Sequence, residues 1–189
     1  MTRNPIPPLF EGVLGAALAE LPPAVRATHD VRAKRSWSGR AKVTRGHSLW
    51  ARLIARLFGF PPACDDIAVL VTKTPQAGGE LWERRFGDRQ FRSFLKAQDG
   101  QMTERFGPLT FTLGLHVADD RLWYPVRRGR MGWVPLPKLI LPESTAFEYE
   151  ADGRFHFDVA LSAPLTGALM VHYQGWLVPD TAVGGFPAS

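Results

Sequence analysis

The chain has 189 residues and a net charge of +5, from 23 basic and 18 acidic side chains. With 45% hydrophobic and 22% charged residues it has the composition of one soluble domain, long enough to bury a full core. A lone cysteine, Cys64, excludes an internal disulfide framework, and no apolar run approaches the roughly 20 residues of a membrane span. The N-terminus lacks a signal-peptide pattern, so a reducing, cytoplasmic setting is expected. Charges are scattered, the densest basic run being Arg127-Arg128-Gly129-Arg130, which argues against a nucleic-acid surface.

Residues 1–8 are proline-rich and read as a flexible lead-in; residues 179–189 read as a flexible tail, and 9–178 as a single domain. Leu9, Phe10, Val13, Leu14, Ala17, Leu18 and Leu21 recur at helical spacing until Pro22-Pro23 stops the helix. Trp37, Gly39, Ala41 and Val43 alternate with polar residues across 35–45, which predicts a half-buried strand. A second helix is predicted from Ser48 to Phe58, with an apolar stripe opposite Arg52 and Arg56. Such a helix can lie on a membrane surface, but packing on the core with its arginines snorkelling outward is preferred. Ile67 to Thr72 is uniformly apolar enough to be a strand covered on both faces.

A motif then occurs twice, offset by twenty positions: Arg85-Phe86-Gly87 with Phe91, and Arg105-Phe106-Gly107 with Phe111. Each copy is a strand end, a glycine turn and a new strand. Gly87-Asp88 pairs Phe86 with Arg89, Arg84 with Phe91 and Trp82 with Ser93. Asp99-Gly100 pairs Ala97 with Met102 and Leu95 with Glu104. Gly107-Pro108 pairs Glu104 with Phe111 and Met102 with Leu113. Asp119-Asp120 pairs Val117 with Leu122, Leu115 with Tyr124 and Leu113 with Val126. Directly paired residues share a face, and all four turns return the same apolar one.

Trp133-Val134-Pro135-Leu136-Pro137 reads as a lid or plug across one end of the fold. Strands resume at 145–150 and 154–162 through a three-residue Ala151-Asp152-Gly153 loop, which sets Tyr149 opposite Phe155. That register places Glu148 beside His156 on the outer face. A last strand spans about 168–177. The expected class is mainly β (α+β): an up-and-down antiparallel barrel of about ten strands with progressive stagger, of calycin, lipocalin-like or fatty-acid-binding type. It carries an N-terminal helix and a helix after the first strand; a START-like helix-grip is the alternative.

Two charges fall on the inward face, Arg84 and Glu104. Their backbone offset is roughly 16 Å at ~3.4 Å per residue and ~4.8 Å per strand, too far for an automatic ion pair. Each therefore needs water, a protein partner or a ligand. Arg84 suits an acidic head group because its planar fork donates two parallel bonds, with a tail lying against Phe91, Phe111 and Tyr124. Trp82, Phe86, Ser93 and Glu104 complete the candidate lining. His172 joins it if Met170 faces inward. His29-Asp30, His116 and His156 are not assigned catalytic roles. No metal-ligand spacing, phosphate loop or nucleophile motif is present, so neither metal nor cofactor is expected.

Several segments occur together and in order: Leu9-Phe10, Leu21-Pro22-Pro23, His29-Asp30-Val31, Trp82-Glu83-Arg84-Arg85-Phe86-Gly87, Glu104-Arg105-Phe106-Gly107-Pro108, Pro135-Leu136-Pro137, Asp152-Gly153-Arg154-Phe155-His156-Phe157-Asp158 and Gly175-Trp176-Leu177. As a set they resemble the bacterial domain-of-unknown-function family 4166 over nearly the whole chain. Members of that family also occur fused behind saccharopine-dehydrogenase-like reductases. The resemblance implies a module that works beside an oxidoreductase; it carries no catalytic residue. Three readings stand: a carrier of an apolar or acidic small molecule, preferred on fold analogy; a barrel-housed isomerase, cyclase or hydrolase using His172 with Arg84 or Glu104; and a docking partner of a reductase.

Overall fold

The computed structural model describes residues 8–47 and 61–180. The helix predicted over 48–58 and nearly all of both terminal segments lie outside that set. Among the described residues there are two short α-helices, α1 (Glu11–Leu14) and α2 (Pro23–His29). The strands in the first half are β1 (Arg35–Arg45), β2 (Cys64–Gln76), β3 (Gly79–Phe86), β4 (Arg89–Gln98), β5 (Gln101–Phe106) and β6 (Leu109–Leu113). The second half supplies β7 (His116–Ala118), β8 (Arg121–Trp123), β9 (Val126–Met131), β10 (Val134–Pro135), β11 (Glu143–Ala151), β12 (Arg154–Ser162) and β13 (Leu169–Pro179). All join one antiparallel sheet in the order β10-β9-β6-β5-β4-β3-β2-β1-β13-β12-β11-β8-β7. No helix among them is long and apolar enough to cross a membrane.

The meander from β3 to β6 has the register that its turns dictate. Arg84 pairs with Phe91, Trp82 with Ser93, Leu95 with Glu104 and Glu104 with Phe111. Gly87 and Gly107 take φ of 53° and 54° at the first turn position, which glycine adopts without steric cost. The alternation in β1 holds too, with Trp37, Ala41 and Val43 buried. β2 is longer than expected, and it alternates: Val69, Val71 and Lys73 are buried while their neighbours are not. It is therefore covered on one face, not two.

The sheet curls round one cavity but does not close into the predicted ten-strand barrel. The reason lies in a single long hairpin, β6–β7 going out and β8–β9 returning. Its base, β6 with β9, belongs to one end of the sheet. Its tip, β7 with β8, joins the other end by pairing Trp123 with Phe147 and Leu122 with Glu148. Gly114–Leu115 and Tyr124–Pro125 make the break between base and tip, and Pro125 has no N–H to give a ladder. The two sheet ends are thus joined through this hairpin, and β9 and β11 do not pair.

The N-terminal helix is also different. The predicted 9–21 segment is α1 followed by a 3-10 turn over Gly15–Glu20. Pro22-Pro23 does stop it, but Pro23 also starts α2, because proline is tolerated where a first-turn N–H has no helical partner. Helix α2 lies over one end of the cavity, and Ala24 N–H donates to Glu150 Oε2 on β11 at 2.6 Å. At β1 and β13 the backbones press together: a Cβ on Gly39 would run into the Trp176 carbonyl, and one on Gly175 into that of Arg40.

The β11–β12 turn holds the most consequential correction. Asp152 and Gly153 both have positive φ, 52° and 68°, so the loop has two residues and not three. Glu148 then opposes Phe157, and Tyr149 opposes His156. A one-residue slip moves every side chain to the other face. Glu148 turns inward, while His156 stacks on Tyr149 with ring centroids 5.1 Å apart.

Candidate functional site

The curled sheet encloses a cavity of about 330 Å³, lined from every side by the inward faces of its strands. Its walls are aromatic and aliphatic: Phe86, Phe91, Phe111, Phe155 and Phe157, with Leu95, Leu113 and Leu177. Phe86 stacks on Phe91 at 5.9 Å and meets Tyr173 edge-on at the same distance. The N-terminal segment covers one end with Phe10 and Thr28, and Leu136 and Ile140 also border the cavity.

Two polar clusters interrupt this apolar surface. In the first, Arg84 Nη2 donates to Glu104 Oε1 at 2.9 Å and Arg84 Nη1 to Ser93 Oγ at 2.7 Å. Ser93 in turn donates to the same Glu104 oxygen at 2.7 Å. The ion pair that backbone spacing argued against therefore forms. Both side chains are long and lean along the sheet towards each other, and Ser93 between them is too small to keep them apart. The Arg84 guanidinium also lies 4.8 Å from the Trp82 ring centroid. Arg84 thus has its carboxylate within the protein itself.

The second cluster sits under α2 and was not predicted. His29 Nε2 hydrogen-bonds Glu148 Oε2, and both side chains are buried. Lys73 Nζ donates to the Thr28 carbonyl at 2.8 Å and stands 3.8 Å from the Trp82 ring centroid. Trp82 Nε1 donates to Glu80 Oε2 at 2.9 Å, and Glu80 is buried as well. Burial, then the neighbouring Lys73, holds His29 below its ordinary value. Glu148 feels burial pushing it up, but His29 and Lys73 overcome that and leave it low. The pair is accordingly a neutral imidazole donating Nε2–H to a carboxylate. Nδ1 of His29 is then an acceptor, and it is buried without a partner among the described residues.

Burial lowers Lys73 from 10.5 to about 8, partly offset by Glu148 and Glu80. Burial likewise raises the Tyr124 phenol well above its ordinary value and takes Tyr173 to about 12, so both remain hydrogen-bond donors at neutral pH. The charged groups lining the cavity are Lys73 and Arg84 against Glu104 and Glu148, two of each sign.

Of the predicted lining, Trp82, Arg84, Phe86, Phe91, Glu104, Phe111 and Tyr124 border the cavity, and Ser93 is buried behind Arg84. His172 does not. A bulge where β12 meets β13 lets Met170 and Val171 both turn inward, after which Tyr173 and Leu177 follow. His172 faces out and bonds Asp158 Oδ1 at 2.9 Å. Nor do His29 and Asp30 pair: Asp30 bonds Arg32 instead. The missed residues carried some signal. Lys73 continues the Val69–Val71 alternation, and Glu80 shares its parity with Trp82 and Arg84. Glu148 was concealed by the turn. Among the described residues no cluster of three metal-ligating side chains occurs.

No curated protein and no solved structure matches the chain. Residues 21–177, which include every polar group of both clusters, match the family described as Domain of unknown function (DUF4166). The chain belongs to the DUF4166 family.

Proposed function

We propose that this protein binds an apolar small molecule with a neutral polar head inside the curled sheet. One observation carries the reading: a cavity of about 330 Å³ with apolar walls and a few convergent polar groups, at the small end of the ~300–1,000 Å³ typical of ligand sites. The head group follows from charge. With Arg84 engaged by Glu104 and equal numbers of each sign on the lining, the cavity has no surplus positive charge for an anion. A hydroxyl or carbonyl can be held by the Tyr124 phenol or Lys73. The test is titration with the neutral dye Nile red, followed by competition between a long-chain alcohol and the fatty acid of equal length. Saturable binding, displaced better by the alcohol and abolished in Ala146→Phe, is expected, because Ala146 is buried on the lining and a ring there fills the space. No binding, or binding indifferent to Ala146→Phe, refutes the proposal.

A second reading, acid–base catalysis on the bound molecule, is favoured by one arrangement. Glu148 and Lys73 both border the cavity, and His29 fixes the Glu148 carboxylate from behind. This replaces the arrangement built on His172. Turnover of a bound ligand that vanishes in Glu148→Gln, with Nile red binding retained, distinguishes a catalyst from a carrier.

A further inference from the structure

Six large hydrophobic side chains are exposed among the described residues, and five of them fall in one stretch: Met131, Trp133, Val134, Leu139 and Ile140. Scattered exposed apolar residues need no explanation, but a contiguous patch marks an interaction site. Trp133 is the extreme case, 90% exposed in the turn of the β9–β10 hairpin. The hairpin holds it out deliberately. Gly132 has a φ of 59°, its N–H donates to the Pro108 carbonyl at 2.9 Å, and Arg130 Nη1 donates to the Gly132 carbonyl at 2.6 Å.

The charge within this stretch of sequence has one sign. From Arg121 to Pro142 the sequence contains Arg121, Arg127, Arg128, Arg130 and Lys138 and no acidic residue. All of these except Arg121 are exposed. The same stretch reaches the ligand cavity, because Leu136 and Ile140 line it. A protruding indole with exposed apolar neighbours, on a stretch whose charged residues are all basic and which also lines the cavity, forms a convex knob. A fluid surface can wrap such a knob, whereas a protein partner would need a matching socket.

The geometry points to an anionic lipid bilayer as the occupant of this patch. Trp133 and its neighbours enter the interfacial layer, where indole is favoured, while Arg127, Arg128, Arg130 and Lys138 meet the anionic head groups. This rests on the apolar-ligand reading and deepens it: Leu136 and Ile140 link the patch to the cavity lining, so docking holds the cavity beside the layer in which an apolar ligand dissolves.

The test is co-sedimentation of the full chain with vesicles of phosphatidylcholine alone or mixed with phosphatidylglycerol, at low and high salt. Nile red is titrated in parallel. Sedimentation with the anionic vesicles only, weakened by salt, is expected. Trp133→Ser should cut it about tenfold by removing the buried indole area, and Arg128→Glu with Lys138→Glu by a similar factor. Both variants should still bind Nile red, which shows that they fold. Sedimentation indifferent to phosphatidylglycerol or to Trp133, or absent while Nile red still binds, overturns the proposal and leaves the patch to a protein partner. Failure of the unaltered chain to bind Nile red refutes the ligand reading instead, and vesicle binding then decides the docking on its own.

Discussion

Arg84 and Glu104 occupy equivalent positions in the two copies of a sequence motif, and they meet as an ion pair at 2.9 Å across the cavity wall. The motif that builds the meander thereby supplies both halves of the polar cluster within it. Their side chains are 16% and 12% exposed, so most of the hydration of each charge has been lost. Removing one partner leaves the other charge desolvated. Arg84→Met is expected to destabilise by about 3 kcal/mol, and Arg84→Met with Glu104→Met to recover most of it. Urea denaturation of the two single variants and the double checks this; additive losses would mean that the pair is not coupled.

Lys73 gives the alkaline side of the stability profile. Burial holds it at about 8, while in the unfolded chain it titrates near 10.5. Between those values the unfolded state carries the additional proton, so stability rises as pH increases from 8. The full effect is about 3 kcal/mol at 1.36 kcal/mol per pH unit. The buried phenols oppose it above pH 10, where an unfolded tyrosine ionises and Tyr173, at about 12, does not. Denaturation at pH 8, 9 and 10 should show the rise in the parent and none in Lys73→Met.

On the acid side His29 and Glu148 act together. His29 is held below 6.5 and Glu148 below 4.5, so on acidification the unfolded chain takes up both protons first. Stability from this pair is complete above pH 6.5 and is lost as pH falls through the depressed values. In an NMR titration the His29 ring should show no protonation between pH 7 and 6. Normal titration of His29 would contradict its burial as a neutral donor.

Gly175 tests the crossing of β1 and β13. A side chain there meets the Arg40 carbonyl and Ala41, neither of which can rotate away. Gly175→Val should cost about 3 kcal/mol or more by overpacking. Thermal unfolding reads the loss, and a melting temperature equal to the parent's would show that the strands separate readily.

Much of this was legible from local chemistry. Gly87, Gly107 and the Asp99-Gly100 pair each fix a turn, and the turn fixes the register, so Arg84, Glu104 and the aromatic wall were placed correctly on one face. The same logic failed at Asp152-Gly153. That dipeptide matches Asp99-Gly100 and takes the same two-residue turn; reading a third residue into the loop sends Glu148 to the outer face. His172 failed for another reason: a bulge obeys no sequence alternation. The second cluster depends on where α2 lies on the sheet. Nothing local to His29 says that its partner is Glu148, 119 residues away. Closure of the sheet was likewise out of reach, because it turns on which strands the hairpin tip selects.

The hairpin that joins the two sheet ends leaves a slit in the wall. Where strands are zipped by a ladder, parting them breaks each rung. Between 126–129 of β9 and 143–146 of β11 no rungs exist, and the segment 136–142 is wedged there, with the Leu136 amide bonded to the Gly129 carbonyl. Leu141 presses on Gly129 from the same segment, where a Cβ would leave it no room. Widening the slit therefore separates greasy contacts and one amide bond, and leaves the hydrogen-bonded framework whole. Along this seam the wall is held by side-chain packing, whereas everywhere else a ladder holds it.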